Sequence, residues 1–300
     1  MIAGIGDDCS IVRLPVRHDA LVTTDFSLEG IHFRREWHPP ESVGHRCLTR
    51  GLSDIAAMGG EPMAAFLSLA LPSKLPQTWV DGFMSGFLAL AKKFDVVLAG
   101  GDTASSTGGV LADVVVLGST PRGRTILRSN ARPGDRIYVT GALGGSAAAL
   151  NLLYSKRGKL NPASFPAHFF PMPRIALGRV LREKRISAAM IDVSDGLIAD
   201  LGHIASASRV LMDLQADPIT NEPVARRQAL AHAAEILGGE VDWRQWVLTG
   251  GDDHALVATF PAGLTLPPRW TVIGRVTQGQ GIVVDGRRWL GAGGWEHFST

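Results

Sequence analysis

In the first part of the chain, segments with the apolar pattern of a strand alternate with segments whose apolar residues have helical spacing. Short apolar runs such as ALVTTDF and MAAFLSLAL are typical of buried strands. Longer segments carry apolar residues at helical spacing, and one of them stops at Gly59-Gly60. Predicted strands cover 20–26, 63–71, 95–102 and 109–119, and predicted helices cover 42–60 and 78–94. The third of these strands is expected to carry Asp102 at its C-terminal end.

A second strand-and-helix series follows the Arg-, Pro-, Ser- and Gly-rich segment 120–132, which predicts a domain boundary. Predicted strands cover 135–141, 190–193, 255–260, 270–276 and 281–286, and predicted helices begin at Gly145, near Arg174 and at Leu197. We therefore predict an α+β fold of two domains, 1–125 and 126–300, with mixed sheets flanked by helices.

Composition narrows the class of protein. An apolar fraction of 45% over 300 residues allows sizeable cores. The net charge is +2 with scattered basic residues, so we expect no nucleic-acid partner. Neither a long apolar run nor a leader pattern occurs, and Cys9 and Cys47 have no zinc or disulfide spacing. These features predict a cytoplasmic protein without a membrane partner.

Short aspartate motifs are the main chemical signal. Nine of the nineteen aspartates stand beside Asp, Gly, Ser or Thr in GIGDDCS, TTD, LSDIAAMGG, GGDT, DVSDGL and GGDDH. A single motif of this kind is more often a turn or a helix cap. Six of them are hard to explain by capping, and carboxylates on Gly-rich turns suit Mg²⁺, which in turn holds phosphates.

No GxxxxGK[ST] loop, complete dinucleotide fingerprint or protein-kinase motif occurs in the sequence. Nucleotide phosphates would therefore be held through carboxylate-bound metals. Converging carboxylates repel one another strongly, and several Mg²⁺ ions would relieve that repulsion. Nucleotide binding is consequently predicted to depend on metal.

The ordered set GIGDDC, TTD, EGIHF, LSDIAAMGG-P, GGDT, TILRSNARPGDRIYVTG, DVSDGLIADLGHIA and GGDDHAL resembles the thiamine-monophosphate kinase family of the aminoimidazole ribonucleotide synthetase superfamily. The resemblance runs from residue 4 to the terminal WEHF. It implies ATP-dependent phosphorylation of thiamine monophosphate to thiamine diphosphate with several Mg²⁺ ions. No side chain stands out as a covalent nucleophile, which favours direct in-line transfer.

The resemblance also implies roles for individual residues. Implied metal ligands are Asp8, Thr23, Thr24, Asp25, Asp54, Asp102, Asp192 and Asp195. Implied ATP contacts are Gly101, Asp102, Arg128 and Ser194, and implied substrate contacts are His32, Asp252 and Trp295. The first domain would bind metal and ATP and form a homodimer, and the second would complete the ATP and substrate site.

Several of these residues also have a purely structural interpretation. His32 alone would more often be a hydrogen-bonding side chain, Arg128 a solvated charge and Trp295 a packing anchor. Asp54 lies inside a predicted helix where no local role requires a charge, which favours function.

The chain departs from the family at two places. Family members carry a further segment before the GIGDD motif, so either the start lies elsewhere or an edge element of the first domain is missing here. The family's GGEDYEL is GGDDHAL here, where Ala255 lacks a carboxylate and His254 replaces a tyrosine. Two alternatives remain open: an ATP-using superfamily enzyme that activates an amide or carbonyl oxygen, and a nucleotide-binding relative without turnover.

Overall fold

The computed structural model describes Ile2, Ile5 and residues 9–155, 160–186, 188–238, 241–264 and 269–295. The chain divides into two compact units. The first unit contains Met1–Thr125 together with Phe169–Ile175, and the second contains Ile126–His168 and Ala176–Thr300. No helix in the described part of the chain is long and apolar enough to cross a membrane.

The first unit is a mixed sheet with two helices. Its strands are β1 (His18–Leu28), β2 (Glu61–Pro72), β3 (Val97–Ser106) and β4 (Leu111–Pro121), and its helices are α1 (Pro40–Ala57) and α2 (Gln77–Lys93). The strands lie in the order β1-β4-β2-β3, in which β2 and β3 are parallel and the other two pairs are antiparallel. This arrangement confirms the predicted mixed sheet.

The two helices of this unit pack backbone to backbone. A Cβ on Gly44 would lie 1.9 Å from the carbonyl oxygen of Phe83, and a Cβ on Gly86 would lie 1.9 Å from that of Glu41. Only glycine permits this approach. The close crossing lets Leu48 of α1 and Phe83 of α2 become fully buried.

The second unit contains the remaining elements. Its strands are β5 (Asp135–Thr140), β6 (Ala189–Val193), β7 (Leu211–Leu214), β8 (Ala255–Pro261), β9 (Trp270–Thr277), β10 (Gly281–Val284) and β11 (Arg287–Arg288). After a 3₁₀ turn at Arg128–Asn130, its helices are α3 (Gly145–Tyr154), α4 (Pro166–Phe169), α5 (Ile175–Glu183), α6 (Leu197–Ser208), α7 (Ala216–Ile219), α8 (Arg227–Ile236) and α9 (Trp243–Thr249). The sheet has the order β11-β10-β7-β9-β5-β8-β6, in which β10 and β7 are parallel and the other neighbouring strands are antiparallel.

Helix α6 joins the core of the second unit through an apolar stripe. Leu197, Leu201 and Ile204 recur at helical spacing and are fully buried in one cluster with residues of β5 and β6. Because α6 follows β6 after only three residues, the connecting loop is held between a buried strand and a buried helix. That loop carries Ser194 and Asp195.

Three features differ from the sequence expectations. Asp102 lies in the middle of β3, because β3 continues to pair with β2 as far as Ser106. The segment Phe169–Ile175 packs in the first unit, where Phe169 O accepts a hydrogen bond from Ser42 Oγ at 2.7 Å. The sequence predictions also lack α8 and α9, and they lack β7, β11, α4 and α7, each of which has at most four residues.

Candidate functional site

Strand β1 and helix α1 place several predicted ligands on one face of the first sheet. Side chains alternate along a strand, so Thr23 and Asp25 share a face. Helix α1 packs on that face, since the Thr23 hydroxyl donates a hydrogen bond to Asp54 Oδ2. The structure therefore brings Thr23 and Asp54 together from residues 31 positions apart in sequence.

The other face of this sheet carries Thr24 and Asp102. The Thr24 hydroxyl donates to Asp113 Oδ1 at 2.9 Å. Asp102 pairs in register with Ser68, which pairs in turn with Asp113 on its other side. Neighbouring strands are about 4.8 Å apart, so the backbones at Asp102 and Asp113 are about 10 Å apart. Thr24 thus turns its side chain away from Asp25 and Asp54.

Gly101 is fixed by a close contact between strands. Its φ is +150°, and a Cβ there would lie 1.8 Å from the carbonyl oxygen of Leu67. No other residue fits this position. The next residue, Asp102, is exposed and accepts the Thr103 N–H through Oδ1 at 2.7 Å. Gly101, a predicted ATP contact, and Asp102, a predicted metal ligand, are therefore neighbours on a strand whose backbone is tightly constrained.

His32 is locked to the end of β1 by a reciprocal pair of hydrogen bonds. Its backbone N–H donates to Leu28 O at 2.9 Å, and the Leu28 N–H donates to its ring Nδ1 at 3.0 Å. Because Nδ1 accepts, the ring proton belongs on Nε2. The imidazole therefore offers a donor at Nε2.

In the second unit, Asp200 shapes the loop between β6 and α6. Its Oδ2 accepts the N–H groups of Ser194, Asp195 and Gly196, each at 3.1 Å. Burial raises the pKa of this carboxyl to about 8, with further upward contributions from the charges of Asp192 and Asp195. Asp200 is not among the residues predicted from the sequence. An acid in the first turn of a helix after a Gly-containing loop is the signal that could have revealed it.

The GGDDH segment lies against the same loop. The Asp252 N–H donates to Ser194 O at 2.7 Å, and the His254 N–H donates to Val193 O at 2.8 Å. Asp252 and His254 both have left-handed backbones, with φ of 60° and 48°. Non-glycine residues rarely adopt this conformation, and it concentrates at functional sites.

The His254 side chain lies between two carboxylates. It is 1% exposed, with Nδ1 3.7 Å from Asp192 Oδ2 and Nε2 3.8 Å from Asp252 Oδ1. Asp253 faces elsewhere and accepts the Gly144 N–H at 2.7 Å. The structure thus places the imidazole of His254, which the sequence marks only as a departure from the family, between two predicted functional carboxylates.

The chain near its end also reaches this loop. The Trp295 N–H donates to Asp195 O at 2.9 Å, and the Ala199 N–H donates to Gly293 O at 3.0 Å. The Trp295 side chain is 52% exposed, so packing alone does not account for it. Asp192 near the end of β6 therefore lies beside a group of loops that carries Ser194, Asp195, Asp252 and Trp295.

Arg128 is separated from that group. Its backbone carbonyl accepts the hydroxyl of Ser208, the last residue of α6, whereas Ser194 precedes the first turn of the same helix. A twelve-residue helix is about 18 Å long. The two predicted ATP contacts of this unit thus lie at opposite ends of α6.

The available donors suit Mg²⁺ by type, since all are carboxylate or hydroxyl oxygens. Asp8, the first predicted ligand, lies outside the described residues. Among the residues that the structure does describe, no group of three or more His, Cys, Asp or Glu side chains is arranged to hold an ion. The metal-ligand assignments therefore stay predictions.

Family models match most of the chain. Residues 6–120 match the AIR synthase related protein N-terminal domain, and residues 132–287 match the corresponding C-terminal domain. The thiamine-monophosphate kinase of Mycobacterium tuberculosis is 36% identical over 300 residues, which cover 99% of this chain and 86% of that protein.

Solved structures agree with these matches. The thiamine-monophosphate kinase of Stenotrophomonas maltophilia K279a has a TM-score of 0.81 at 36% identity, covering 95% of this chain and 91% of that one. AaThiL complexed with AMPPCP and TMP has a TM-score of 0.84 at 32% identity, covering 95% and 89%. The fold and its paired domains thus define an AIR synthase-related protein. Within that class, the chain belongs to the thiamine-monophosphate kinase family.

Proposed function

We propose that this protein transfers the γ-phosphoryl group of ATP to thiamine monophosphate, forming ADP and thiamine diphosphate. The observation that carries the proposal is the similarity, over nearly the whole chain, to thiamine-monophosphate kinases, including a structure that holds AMPPCP and TMP. The end of β6 and the adjoining loops of the second unit add support, because they gather Asp192, Ser194, Asp195, Asp252 and Trp295.

In the proposed reaction, an oxygen of the acceptor phosphate attacks the γ-phosphorus in line with the leaving group. The bond from the γ-phosphorus to the bridging oxygen breaks, and ADP leaves with that electron pair. The acceptor phosphate is already ionised near neutral pH, so no strong general base is needed. The protein's task is positioning and charge neutralisation, and good positioning alone contributes about 7–11 kcal/mol.

The proposal assigns roles to individual residues of each unit. In the first unit His32 would contact the acceptor, and Gly101 and Asp102 would contact ATP. In the second unit Asp252 and Trp295 would recognise the acceptor, since its cationic thiazolium favours a carboxylate and an aromatic face. Ser194 and Arg128 would contact ATP.

Magnesium belongs to the proposal as a cofactor, held by Asp8, Thr23, Thr24, Asp25, Asp54, Asp102, Asp192 and Asp195. When bound, the ions would neutralise polyphosphate charge. Thr23 would orient Asp54 by its hydrogen bond, and Asp200 would orient Asp195 through the loop N–H groups. A homodimeric assembly through the first unit and a cytoplasmic setting complete the proposal.

Incubation with Mg-ATP and thiamine monophosphate, with ADP and thiamine diphosphate both measured, tests the proposed function. Equal amounts of the two products are expected. ATP binding without ADP formation would favour a nucleotide-binding relative, and ADP formation only with a different acceptor would favour another superfamily activity.

A further inference from the structure

The 3₁₀ turn Arg128–Asn130 of the second unit carries an exposed arginine and is weakly supported from within. A backbone hydrogen bond of this turn, from the Asn130 N–H to Leu127 O, is 3.4 Å long. Hydrogen bonds from N–H to carbonyl oxygen normally measure about 2.7–3.2 Å, so this one is weak. The conformation of the turn therefore depends on contacts with the rest of the unit.

Ser208, the last residue of α6, holds both ends of the turn. Its hydroxyl donates a hydrogen bond to Arg128 O at 2.7 Å and accepts the Ala131 N–H at 3.1 Å. A serine hydroxyl has one proton to donate, and here that proton goes to Arg128 O. One side chain thus satisfies a backbone acceptor at the start of the turn and a backbone donor directly after it.

Asn130 ties the turn to a second core element. Its Nδ2 donates to Ala188 O at 3.3 Å, and Ala188 directly precedes β6 and is buried. Helix α6 packs in the same core through its apolar stripe. The backbone of the turn is therefore fixed to a buried strand and a buried helix, whereas the side chain of Arg128 is exposed.

We propose that Ser208 is a positioning residue for the nucleotide, because it fixes the backbone from which Arg128 reaches ATP. This inference rests on the proposed function, in which Arg128 contacts ATP. The planar fork of arginine matches phosphate oxygens in a defined geometry, so the position of its backbone matters. A group that is already held in place loses less conformational freedom when it binds. Ser208 therefore acts through Arg128 and needs no contact with ATP.

A double-mutant cycle tests whether Ser208 acts through Arg128. Binding of Mg-ATP and of thiamine monophosphate is measured separately by calorimetry for the wild type, Ser208→Ala, Arg128→Ala and the double variant. Mg-ATP binding should weaken about 3- to 10-fold in Ser208→Ala and about 10- to 100-fold in Arg128→Ala. The double variant should bind Mg-ATP within about 2-fold of Arg128→Ala, because no guanidinium is left to position. Thiamine monophosphate binding should be unchanged in every variant.

Two matched variants serve as controls. Ser208→Thr keeps the hydroxyl and should restore Mg-ATP binding. Ser206 is an exposed serine of the same helix, so Ser206→Ala should bind Mg-ATP as the wild type does. Melting curves of all variants verify folding. If Ser208→Thr binds Mg-ATP as weakly as Ser208→Ala, the hydroxyl is not the positioning group and the inference is wrong.

Three further outcomes would overturn the inference: normal Mg-ATP binding by Ser208→Ala, losses that add in the double variant, or equal weakening of Mg-ATP and thiamine monophosphate binding. Normal Mg-ATP binding by Arg128→Ala would also overturn it, and the kinase proposal would stand if the wild type forms thiamine diphosphate. A wild type that forms no thiamine diphosphate, with the expected coupling in Mg-ATP binding, would reject the kinase proposal alone.

Discussion

At the scale of single residues, Asp200 illustrates how a buried carboxylate can serve the backbone. One of its oxygens accepts three N–H groups from the loop that carries Ser194 and Asp195. All three donors meet the same oxygen, so the amide oxygen of asparagine could replace it. The conformation of the loop therefore depends on an acceptor at this position more than on its charge.

Asp200→Ala should lower the free energy of unfolding by at least about 2 kcal/mol, because three buried donors lose their partner. Asp200→Asn should cost much less. Urea unfolding of both variants at pH 6 measures the difference. Equal destabilisation would show that an acceptor oxygen at this position is not enough to hold the loop.

The raised pKa of Asp200 also sets a direction for the pH dependence of stability. The folded protein binds this proton up to about pH 8, whereas the ordinary pKa is 3.8. The contribution of Asp200 to the free energy of unfolding is therefore fully present below pH 3.8 and is lost as the pH rises to about 8. With a chelator present, wild-type stability should fall from pH 5 to pH 8 relative to Asp200→Asn. A constant difference across this range would contradict the shift.

The two cysteines should differ in reactivity. Cys9 is exposed, whereas Cys47 is fully buried, and burial raises the pKa of its thiol to about 12. Because the thiolate is the reactive form, a disulfide reagent should modify one thiol quickly in the native protein and the second only after unfolding. Cys9→Ser should abolish the fast phase. Two fast thiols would show that α1 opens readily from the sheet.

At the scale of elements, the first unit depends on the close crossing of α1 and α2. Gly86→Ala would place a methyl group 1.9 Å from the Glu41 carbonyl, so the helices must separate. A loss of about 3 kcal/mol or more is expected, comparable with severe overpacking.

Gly202→Ala is the matched control for that substitution. Gly202 lies in α6, where the nearest atom to an added methyl group is Ile282 Cδ1 at 4.0 Å. Alanine should stabilise this helix by about 0.5–1 kcal/mol, because it reduces the flexibility of the unfolded chain. Thermal unfolding of both variants gives the comparison. If Gly86→Ala changes stability as little as Gly202→Ala does, the crossing is looser than its geometry indicates.

At the scale of the whole molecule, the proposed kinase reaction depends on carboxylates whose structural roles are small. Asp54→Asn should lower turnover at least about 100-fold, as expected when one electrostatic contact in the transition state is lost. The fold should persist, because the asparagine oxygen can still accept the Thr23 hydroxyl. Asp81→Asn, on the exposed side of α2, should leave turnover unchanged. Normal turnover in Asp54→Asn would make this carboxylate structural.

Substitutions at the predicted acceptor contacts should affect the binding of thiamine monophosphate and not that of ATP. Trp295→Ala and Asp252→Ala are expected to raise the KM for thiamine monophosphate and to leave the KM for ATP nearly unchanged, because each removes a contact suited to the cationic acceptor. Steady-state kinetics with each substrate varied in turn measures the separation. A parallel rise in both constants would mean that these residues serve the loop as a whole.

The sequence by itself determined the types of the longer elements of the first unit, the mixed two-domain fold and the family. Long periodic segments such as 42–60 and 78–94 predicted α1 and α2, because burial requires an apolar stripe at helical spacing. The ordered aspartate motifs indicated the family, because each is short but their order is specific. Apolar periodicity and short motifs are local features, so each can be recognised within a single segment of the sequence.

Only the tertiary structure decided which side chains meet. The alternation of β1 turns Thr24 away from Thr23 and Asp25, although the three are consecutive. His254 met Asp192 through a contact between distant segments, and Thr23 met Asp54 only when α1 packed on β1. Such contacts depend on sheet register and helix packing, which are fixed by many weak long-range interactions that no single segment of the sequence contains.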